Sequence, residues 1–580
     1  MSTPTLAIDL ARRTIAPPVT APPAVRLIQA CIVIGLVAVA APAFLVRIPP
    51  LLDLPNHYAR IWLLAGGVRE APLSHMYAVD WSAAWTNIGV DLAAQVLGLV
   101  IPGQALGPLF TGLALVLPPL GAVALHRSLY GGWRWWQAGI PLTAFATTLL
   151  AGFLNYQIGL GLALLAVAAD PWLERRLSTG RFMMARIAIA LGLLVVHMFA
   201  LGFYACLLGG LALGPRLTAL WSVRGARTAA LRIAMAAACV LVPLIAYRLT
   251  ATAVPGGGEF APIWGPTTLK YKLDVLLCAF ATYDEKVDEL FFAGLAAFAV
   301  VAALVWRLRI HQGLVVVALG LCGIALLLPT WAAQTGWIDT RVPIMALLAL
   351  VVALDPDMLR TGRLKVAAAG LLLALVVGRA AWIGGIWIER QSDIAAIDRA
   401  LAHVPAGSAV LPVDHWPSIR GRRTAPVGRY FHFGASFYHA YTLAVLDRRA
   451  FSPLVFTMAG KQPLKVLGRW KEISVPNGGR SPTTRALIQP TRAWLKIAPY
   501  ISHWRQRFDY ALMLNADVLE SADKDPLPEG MTLVANEGFA RLYRIERPKP
   551  SDDEDEAPVP DDLIRAKAHR SVRLHRAART

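Results

Sequence analysis

An acid, an imidazole and a guanidinium lie close together in the segment from Asp53 to Arg60, which reads DLPNHYAR. The segment follows a long apolar stretch, 27–46, and ionisable groups beside a membrane usually mark a functional site. A carboxylate held ionised near Arg60 can accept a proton from an incoming hydroxyl or amine. Asp53 is therefore the first catalytic candidate, and His57 is the second.

The same residues also fit a purely structural interpretation. Pro55 suits the first turn of a helix, because its missing N–H is not needed there. Asp53 or Asn56 can cap that helix, and His57 and Arg60 share one of its faces. From these residues alone, a catalytic segment and a capped amphipathic helix with a surface salt bridge both stay open.

Further polar side chains stand at the ends of apolar segments. His197 lies between two short apolar stretches, and Arg341 opens another, with Asp339 just before it. A guanidinium at such a place either holds a phosphate through paired hydrogen bonds or extends to lipid headgroups. His197 fits a buried structural histidine or a substrate contact. The candidate substrate-binding residues are Arg60, His197, Asp339 and Arg341.

Composition indicates a membrane protein. The 580 residues are 56% hydrophobic and 16% charged, and the mean hydropathy is +0.52, beyond the range of soluble globular proteins. The net charge of +19 does not indicate nucleic-acid binding, because much of the positive excess lies in short loops between apolar segments. No Gly-x-x-x-x-Gly-Lys loop for a nucleotide is present. Five cysteines show neither a disulfide framework nor a zinc pattern: Cys31, Cys206, Cys239, Cys278 and Cys322.

Apolar segments that approach the roughly 20 residues needed to cross a bilayer predict about 11 transmembrane helices. They are 27–46, 105–126, 137–151, 153–169, 184–197, 199–214, 233–249, 290–306, 313–329, 342–354 and 366–387. With the N-terminus inside, arginines concentrate in the inner loops, as the positive-inside rule requires. One long helix through His197 would instead place the arginines of 216–232 outside. If the first segment is a cleaved signal peptide, Asp53 still lies outside.

The predicted organisation has four parts. They are a cytoplasmic N-terminal tail (1–26), a transmembrane domain (27–387) with outer loops 47–90, 250–289 and 330–341, a periplasmic α/β domain (388–547) and a charged disordered tail (548–580). Within 388–547, the sequence predicts a helix over 394–403 and strands over 408–413, 510–514 and 539–545. The 415–500 region, rich in proline, glycine, arginine and aromatic residues, is predicted to form loops.

Together these features resemble the C-superfamily (GT-C type) of integral-membrane glycosyltransferases, which includes aminoarabinose transferases and protein O-mannosyltransferases. The resemblance rests on the acid in the first outer loop, the apolar core of about 11 spans and the soluble outer domain. It covers most of the chain, including the strand at Phe508-Asp509-Tyr510. The motifs that resemble uncharacterised bacterial members are Asp53-x-Pro55-Asn56-His57-x-Ala59-Arg60, Gly152-Phe153-Leu154-Asn155-Tyr156, His197-Met198-Phe199-Ala200 and Asp339-Thr340-Arg341.

The resemblance implies a polytopic α-helical protein of the bacterial inner membrane with a GT-C-like core and a C-terminal mixed α/β soluble domain. It implies inverting transfer of a sugar from a polyprenyl-phosphate donor to a lipid, glycan or protein acceptor on the periplasmic side. Asp53 matches the family's catalytic acid in the first loop, and Arg341, with Arg60 or His197, would neutralise the phosphate. No cofactor is required and no metal ligand is assigned; membrane lipids are partners and nucleic acid is not.

The chain departs from several members of the superfamily because no second acid stands beside Asp53. A second acid, if the reaction needs one, must come from Glu70, Asp80, Asp91 or Asp339. Two other functions fit the sequence: a transporter or flippase of a lipid-linked sugar, and a non-catalytic assembly factor for envelope polysaccharide. Transporters often contain two related halves, and the sequence shows no such symmetry.

Overall fold

The computed structural model describes residues 22–250, 262–305, 308–332, 335–356, 361–415, 419–518 and 526–548. The predicted tails, 1–26 and 548–580, lie almost entirely outside these ranges. The glycine-rich start of the predicted loop 250–289 also lies outside them.

The chain up to residue 389 is mostly helical. Its helices are α1 Pro23–Ala40, α2 Pro42–Leu45, α3 Leu54–Leu64, α4 Gly89–Leu97, α5 Gly103–Tyr130, α6 Thr147–Leu150, α7 Leu154–Arg176, α8 Thr179–Val196, α9 Met198–Leu213, α10 Val223–Thr250, α11 Leu269–Leu277, α12 Glu285–Val305, α13 Gln312–Leu327, α14 Ile338–Ala353 and α15 Gly362–Glu389. Shorter helices follow: α16 Gln391–Leu401, α17 Ile419–Thr424, α18 Leu443–Arg448, α19 Thr484–Ile488, α20 Arg492–Ile497 and α21 Trp504–Arg507.

Within the described ranges, six helical segments are long and apolar enough to cross a membrane. They are Pro23–Leu45, Gly103–Tyr130, Leu154–Arg176, Thr179–Val196, Val223–Leu249 and Gly362–Leu401. The apolar helices α9 and α13 are shorter. The chain therefore has the helices of a membrane protein, and the count of 11 spans stays a prediction.

Three predicted spans can be compared directly with the structure. The segments on either side of His197 form separate helices, α8 and α9, and His197 lies between them in extended conformation. By contrast, 137–151 is not one α-helix but a 3₁₀ helix, Trp135–Ala144, followed by α6. Pro141 inside this stretch lacks the N–H of an α-helical hydrogen bond, which explains the difference.

The long helices pack through small residues as well as through large apolar ones. α5 and α7 lie against each other over much of their length. A Cβ added at Gly161 on α7 would lie 2.3 Å from the carbonyl carbon of Leu117 on α5, so this contact requires glycine. Such close backbone approach is typical of helix packing in membranes.

Most strands lie in the C-terminal region, which we define as residues 388–548. The strands are β1 Tyr77–Val79, β2 Leu308–Ile310, β3 Trp331–Ala332, β4 Thr335–Gly336, β5 Leu354–Pro356, β6 Val410–Asp414, β7 Tyr430–Phe431, β8 Gly434–Ala435, β9 Leu464–Val466, β10 Tyr510–Leu514, β11 Met531–Asn536 and β12 Ala540–Ile545. The main sheet has the order β11-β12-β10-β6, in which only β10 and β6 are parallel. The three predicted strands are confirmed as β6, β10 and β12, and the predicted helix is α16.

The C-terminal region packs directly on the first helices. β1, from the first predicted loop, pairs with β9 in antiparallel register, Tyr77 opposite Val466. One apolar core contains residues of both parts, with Leu54 and Ile61 of α3 beside Leu411 of β6 and Leu512 of β10. A second core joins α7, α9 and α14. The start of α3 therefore lies where the helices meet the C-terminal region.

Candidate active site

Asp53 stands immediately before α3, as the sequence predicts, but its side chain does not cap the helix. Its carboxylate Oδ1 lies 3.3 Å from Nε2 of His439, and the side chain is 15% exposed. The backbone N–H of Asp53 donates to the carbonyl of Ala151. Gly152 has φ +81°, and a Cβ there would lie 3.0 Å from the Asp53 nitrogen, so glycine permits this approach.

The same turn brings Arg341 towards Asp53. The ring of Phe153, next to Gly152, lies 3.9 Å from the guanidinium carbon of Arg341. The hydroxyl of Tyr156 donates to the backbone carbonyl of Arg341. Asp53 is close enough for a favourable electrostatic interaction with Arg341. The structure therefore brings together an acid and a guanidinium that are far apart in sequence.

Hydrogen bonds fix the direction of the Arg341 guanidinium. Nε donates to the carbonyl of Trp337 at 3.2 Å and Nη2 to that of Gly336 at 3.3 Å. Nη1 lies 3.4 Å from Nε2 of His197. Arg341 is 8% exposed, and within the described part of the chain no carboxylate forms a salt bridge with it.

An N–H group of His197 and an N–H group of Arg341 lie next to each other. Nδ1 of His197 accepts from the backbone N–H of Phe199 at 3.1 Å, which caps α9. The proton of the neutral imidazole therefore resides on Nε2, the nitrogen that faces Arg341. Two donors 3.4 Å apart cannot bond to each other, but together they can bind an anionic oxygen.

Lys461 of the C-terminal region adds a second cation beside Arg341. Its Nζ donates to Thr335 Oγ1 at 3.0 Å, and the side chain lies within electrostatic range of both Arg341 and His197. Burial, and then the positive charge of Arg341, lower the pKa of Lys461 to about 8. Arg341, His197 and Lys461 form a cluster that we call the anion site.

Arg60 lies elsewhere, in a buried ion pair. Its Nε and Nη2 donate to the two carboxylate oxygens of Asp91 at 2.7 and 3.3 Å, and the two side chains are 1% and 0% exposed. All of α3 is buried, and the described contacts of the Arg60 guanidinium are with Asp91. The assignment of Arg60 to substrate binding and the choice of Asp91 as a second acid stay predictions.

Asp91→Asn is expected to destabilise the fold. Removing one partner of a buried ion pair leaves the other charge uncompensated, which costs about 3–5 kcal/mol. Thermal unfolding in detergent measures this loss. Glu70→Gln is the control, because Glu70 pairs with Arg449 on the surface, where both side chains are about half exposed and such a pair contributes about 0–1 kcal/mol. An unchanged unfolding temperature for Asp91→Asn would contradict the structural role.

Asp339 is also structural in its contacts. It is fully buried, and its carboxylate accepts from Tyr271 Oη at 3.1 Å, Thr330 Oγ1 at 3.3 Å and the backbone N–H of Thr340 at 2.9 Å. These bonds hold the start of α14, on which Arg341 lies. In these contacts Asp339 supports the segment that carries Arg341, and its assignment to substrate binding stays a prediction.

His57 is buried in the interface between α3 and the C-terminal region. Its ring packs edge-on against Phe456, with centroids 5.9 Å apart, and Phe456 also contacts His439 at 4.9 Å. Burial, followed by the charges of Arg60 and His439, lowers the pKa of His57 well below its usual value, so its imidazole is neutral. Asn56 binds the same segment, accepting from the Phe456 N–H and donating to the Leu454 carbonyl.

Sequence reasoning missed the two C-terminal residues of the site, His439 and Lys461. Both lie in the 415–500 region that the sequence predicted as loops. The only signal was the run of histidines and aromatic residues at 430–441, which contains His439 but not Lys461. Glu70 and Asp80, the other candidate acids, bind Arg449 and Lys465 at the surface. Among the described residues, no group of three or more His, Cys, Asp or Glu is placed to hold a metal ion.

A cavity of about 670 Å³ is lined by residues of α11, α12 and the C-terminal region. Its lining includes charged side chains of both signs. The acids are Glu285 and Glu289 on α12, and the bases are Arg422 and Arg423 on α17. Phe431 forms part of the wall and packs against Trp337, whose carbonyl binds Arg341. A cavity of this size can enclose most of a small organic ligand.

Comparison with known proteins gives similarity at the level of solved structures. No family model and no curated protein matches the chain. The crystal structure of ArnT from Cupriavidus metallidurans bound to undecaprenyl phosphate is similar with a TM-score of 0.46 and 12% identity, covering 90% of this chain and 97% of that one. The apo crystal structure of the same protein gives a TM-score of 0.43 with the same identity and coverage.

Proposed function

We propose that this protein is an inverting membrane glycosyltransferase that moves a sugar from a polyprenyl-phosphate donor to an acceptor on the periplasmic side of the bacterial inner membrane. The observation that carries the proposal is the arrangement of Asp53 beside an anion site built from Arg341, His197 and Lys461. A base next to a cationic site is what displacement of a phosphate leaving group requires.

Each group has a defined part in the proposed reaction. Asp53 accepts the proton of an acceptor hydroxyl while its oxygen attacks the anomeric carbon. The bond between that carbon and the phosphate oxygen breaks, and its electron pair leaves with polyprenyl phosphate. Arg341, His197 and Lys461 stabilise the charge that grows on the phosphate, and their effect is strongest because the site is largely shielded from water.

The acceptor is proposed to place its bulk in the cavity lined by Phe431 and the charged residues of α12 and α17. This assignment is supported by the contact between Phe431, which lines the cavity, and Trp337, whose backbone carbonyl binds Arg341 of the anion site. A lipid, a glycan or a protein segment would enter there. The helical part of the chain and the C-terminal region would then both contribute residues to the reaction, with the C-terminal region on the periplasmic side.

The direct test uses purified protein in lipid nanodiscs with a polyprenyl-phosphate sugar. The expected result is release of polyprenyl phosphate that depends on an added acceptor. A transporter or flippase would move the intact donor between leaflets of a vesicle without breaking the glycosidic bond, and an assembly factor would do neither. Movement of the donor without release would replace the transferase proposal.

Donor binding is expected to weaken as pH rises through about 8. The pKa of Lys461 is lowered to about 8, so its ammonium is present below this pH and is lost above it. Loss of one charged hydrogen bond corresponds to about tenfold or more in Kd. The donor is a phosphodiester, so its own charge stays constant over this range. Kd measured from about pH 6 to 10 should show the change.

Lys461→Arg separates this titration from other effects, because arginine keeps its charge and should give a flat pH dependence. The control is Lys465→Arg, since Lys465 is half exposed and paired with Asp80; it should behave like the wild type. If donor affinity still declines with rising pH in Lys461→Arg, another group is responsible for the decline.

A further inference from the structure

The Asp53 carboxylate contacts a histidine of the C-terminal region. His439 Nε2 lies 3.3 Å from Asp53 Oδ1, and His439 is 4% exposed. From this contact we infer that His439 is a positioning residue for Asp53: it donates Nε2–H to Oδ1 and leaves Oδ2 to accept the acceptor's proton. This inference rests on the proposed function of Asp53 as the base.

The tautomer follows from the surroundings of the ring. Nδ1 of His439 is buried and has no hydrogen-bond partner among the described residues. A proton on Nδ1 would therefore be a buried, unsatisfied donor, which is unfavourable. On Nε2 the same proton meets the Asp53 carboxylate, and a hydrogen bond to an ionised acceptor is among the stronger kinds.

The ring of His439 cannot easily turn away from Asp53. It packs edge-on against Phe456 at 4.9 Å and against Tyr438 at 4.8 Å. A Cβ at Gly478 would lie 2.7 Å from Cε1 of His439, so that glycine closes over the ring edge. The backbone carbonyl of His439 accepts from both the N–H and the hydroxyl of Thr442. The imidazole is held in one orientation before any substrate binds.

The charged and titratable groups that face His439 come from two directions. From α3 they are Asp53 and His57, and His57 is neutral because burial lowers its pKa. From the C-terminal region, Tyr438 lies beside the ring and interacts electrostatically with Arg480 and Asp414. Among these groups, Asp53 and His439 are the pair in direct contact.

The experiment compares His439→Gln, His439→Phe and a control, His503→Gln, an exposed histidine of the same region. Donor release is measured at one pH for each variant, together with donor Kd and unfolding temperature. His439→Phe should lower kcat by about 10²-fold, the effect of a misplaced catalytic group, and leave donor Kd within about twofold. His503→Gln should match the wild type in every measurement.

His439→Gln carries the decisive readout, because its amide can donate a hydrogen bond to Oδ1 and the phenyl ring of His439→Phe cannot. We expect His439→Gln to recover most of the kcat lost in His439→Phe, with donor Kd unchanged in both variants. A residue that only fills space would be replaced as well by the phenyl ring as by the amide. If His439→Phe fails to fold, His439→Leu, which also lacks a donor, takes its place in the comparison.

Failure of this inference and failure of the proposed function give different results. Wild-type kcat in His439→Phe, or a His439→Gln variant that recovers none of the lost kcat, would overturn this inference and leave the transferase proposal intact. Absence of donor release by the wild-type protein would remove the proposed function itself. Weaker donor binding in His439→Gln with unchanged kcat would also overturn the inference, because it would place His439 in the anion site.

Discussion

Asp53→Asn is expected to reduce turnover by about 10²–10⁴-fold, the usual effect of losing a general base. Asparagine keeps the size of the side chain and can still contact His439, but it cannot accept a proton. Donor affinity should change little, because the proposal assigns the phosphate to Arg341, His197 and Lys461. Release of polyprenyl phosphate under single-turnover conditions measures the chemical step, and equilibrium binding of the donor is measured in parallel.

Asp80→Asn is the matched control for this substitution. Asp80 belongs to the same predicted loop, but its carboxylate is partly exposed and binds Lys465 and Ser82. Its replacement should leave turnover and donor affinity unchanged. Full activity in Asp53→Asn would void the assignment of the base, and loss of donor binding in the same variant would move Asp53 into the donor site.

The sequence was sufficient for features that depend on local pattern. The break at His197 follows from topology and charge, and the structure has two helices there. The strands at Tyr510–Leu514 and Ala540–Ile545 match short β-rich runs. Asp53 was placed correctly at the start of a helix, because Pro55 and the residues around it carry a helix-start signal that needs no distant partner.

Contacts between residues that are far apart in the sequence could not be predicted from it. α3 looks like an amphipathic helix with one polar face, yet every residue of it is buried, because the C-terminal region covers that face. Asn56, for example, binds Leu454, which lies 398 residues later. Arg60 was expected at a surface for the same reason, and only the fold shows that Asp91 neutralises it.

Part of the anion site could be predicted from the sequence. His197 and Arg341 were both predicted as substrate-binding residues at the ends of apolar segments, and Nε2 of His197 lies 3.4 Å from Nη1 of Arg341. Lys461 and His439 lie in a region without periodic pattern, so neither could be assigned to a strand or helix pointing at the site. A loop acquires its position only from what it packs against, and no local signal encodes that.

Arg341→Ala is expected to weaken donor binding by about 10²-fold and to reduce turnover at least as much. One charged hydrogen bond to phosphate contributes about 1.5–3 kcal/mol, which corresponds to about 10–10²-fold in Kd, and Arg341 also orients the donor beside His197. The phosphate is charged before the reaction and gains charge as it leaves, so the loss extends to both the bound state and the transition state.

Arg341→Lys should restore only part of this loss. Lysine keeps the positive charge, but its ammonium cannot bind the carbonyls of Trp337 and Gly336 and still direct an N–H beside His197, as the planar guanidinium does. Arg69→Ala, at an exposed arginine after α3, is the control and should bind donor as the wild type does. If Arg341→Ala binds the donor normally while Asp53→Asn does not, the phosphate lies at Asp53 and the two assignments must be exchanged.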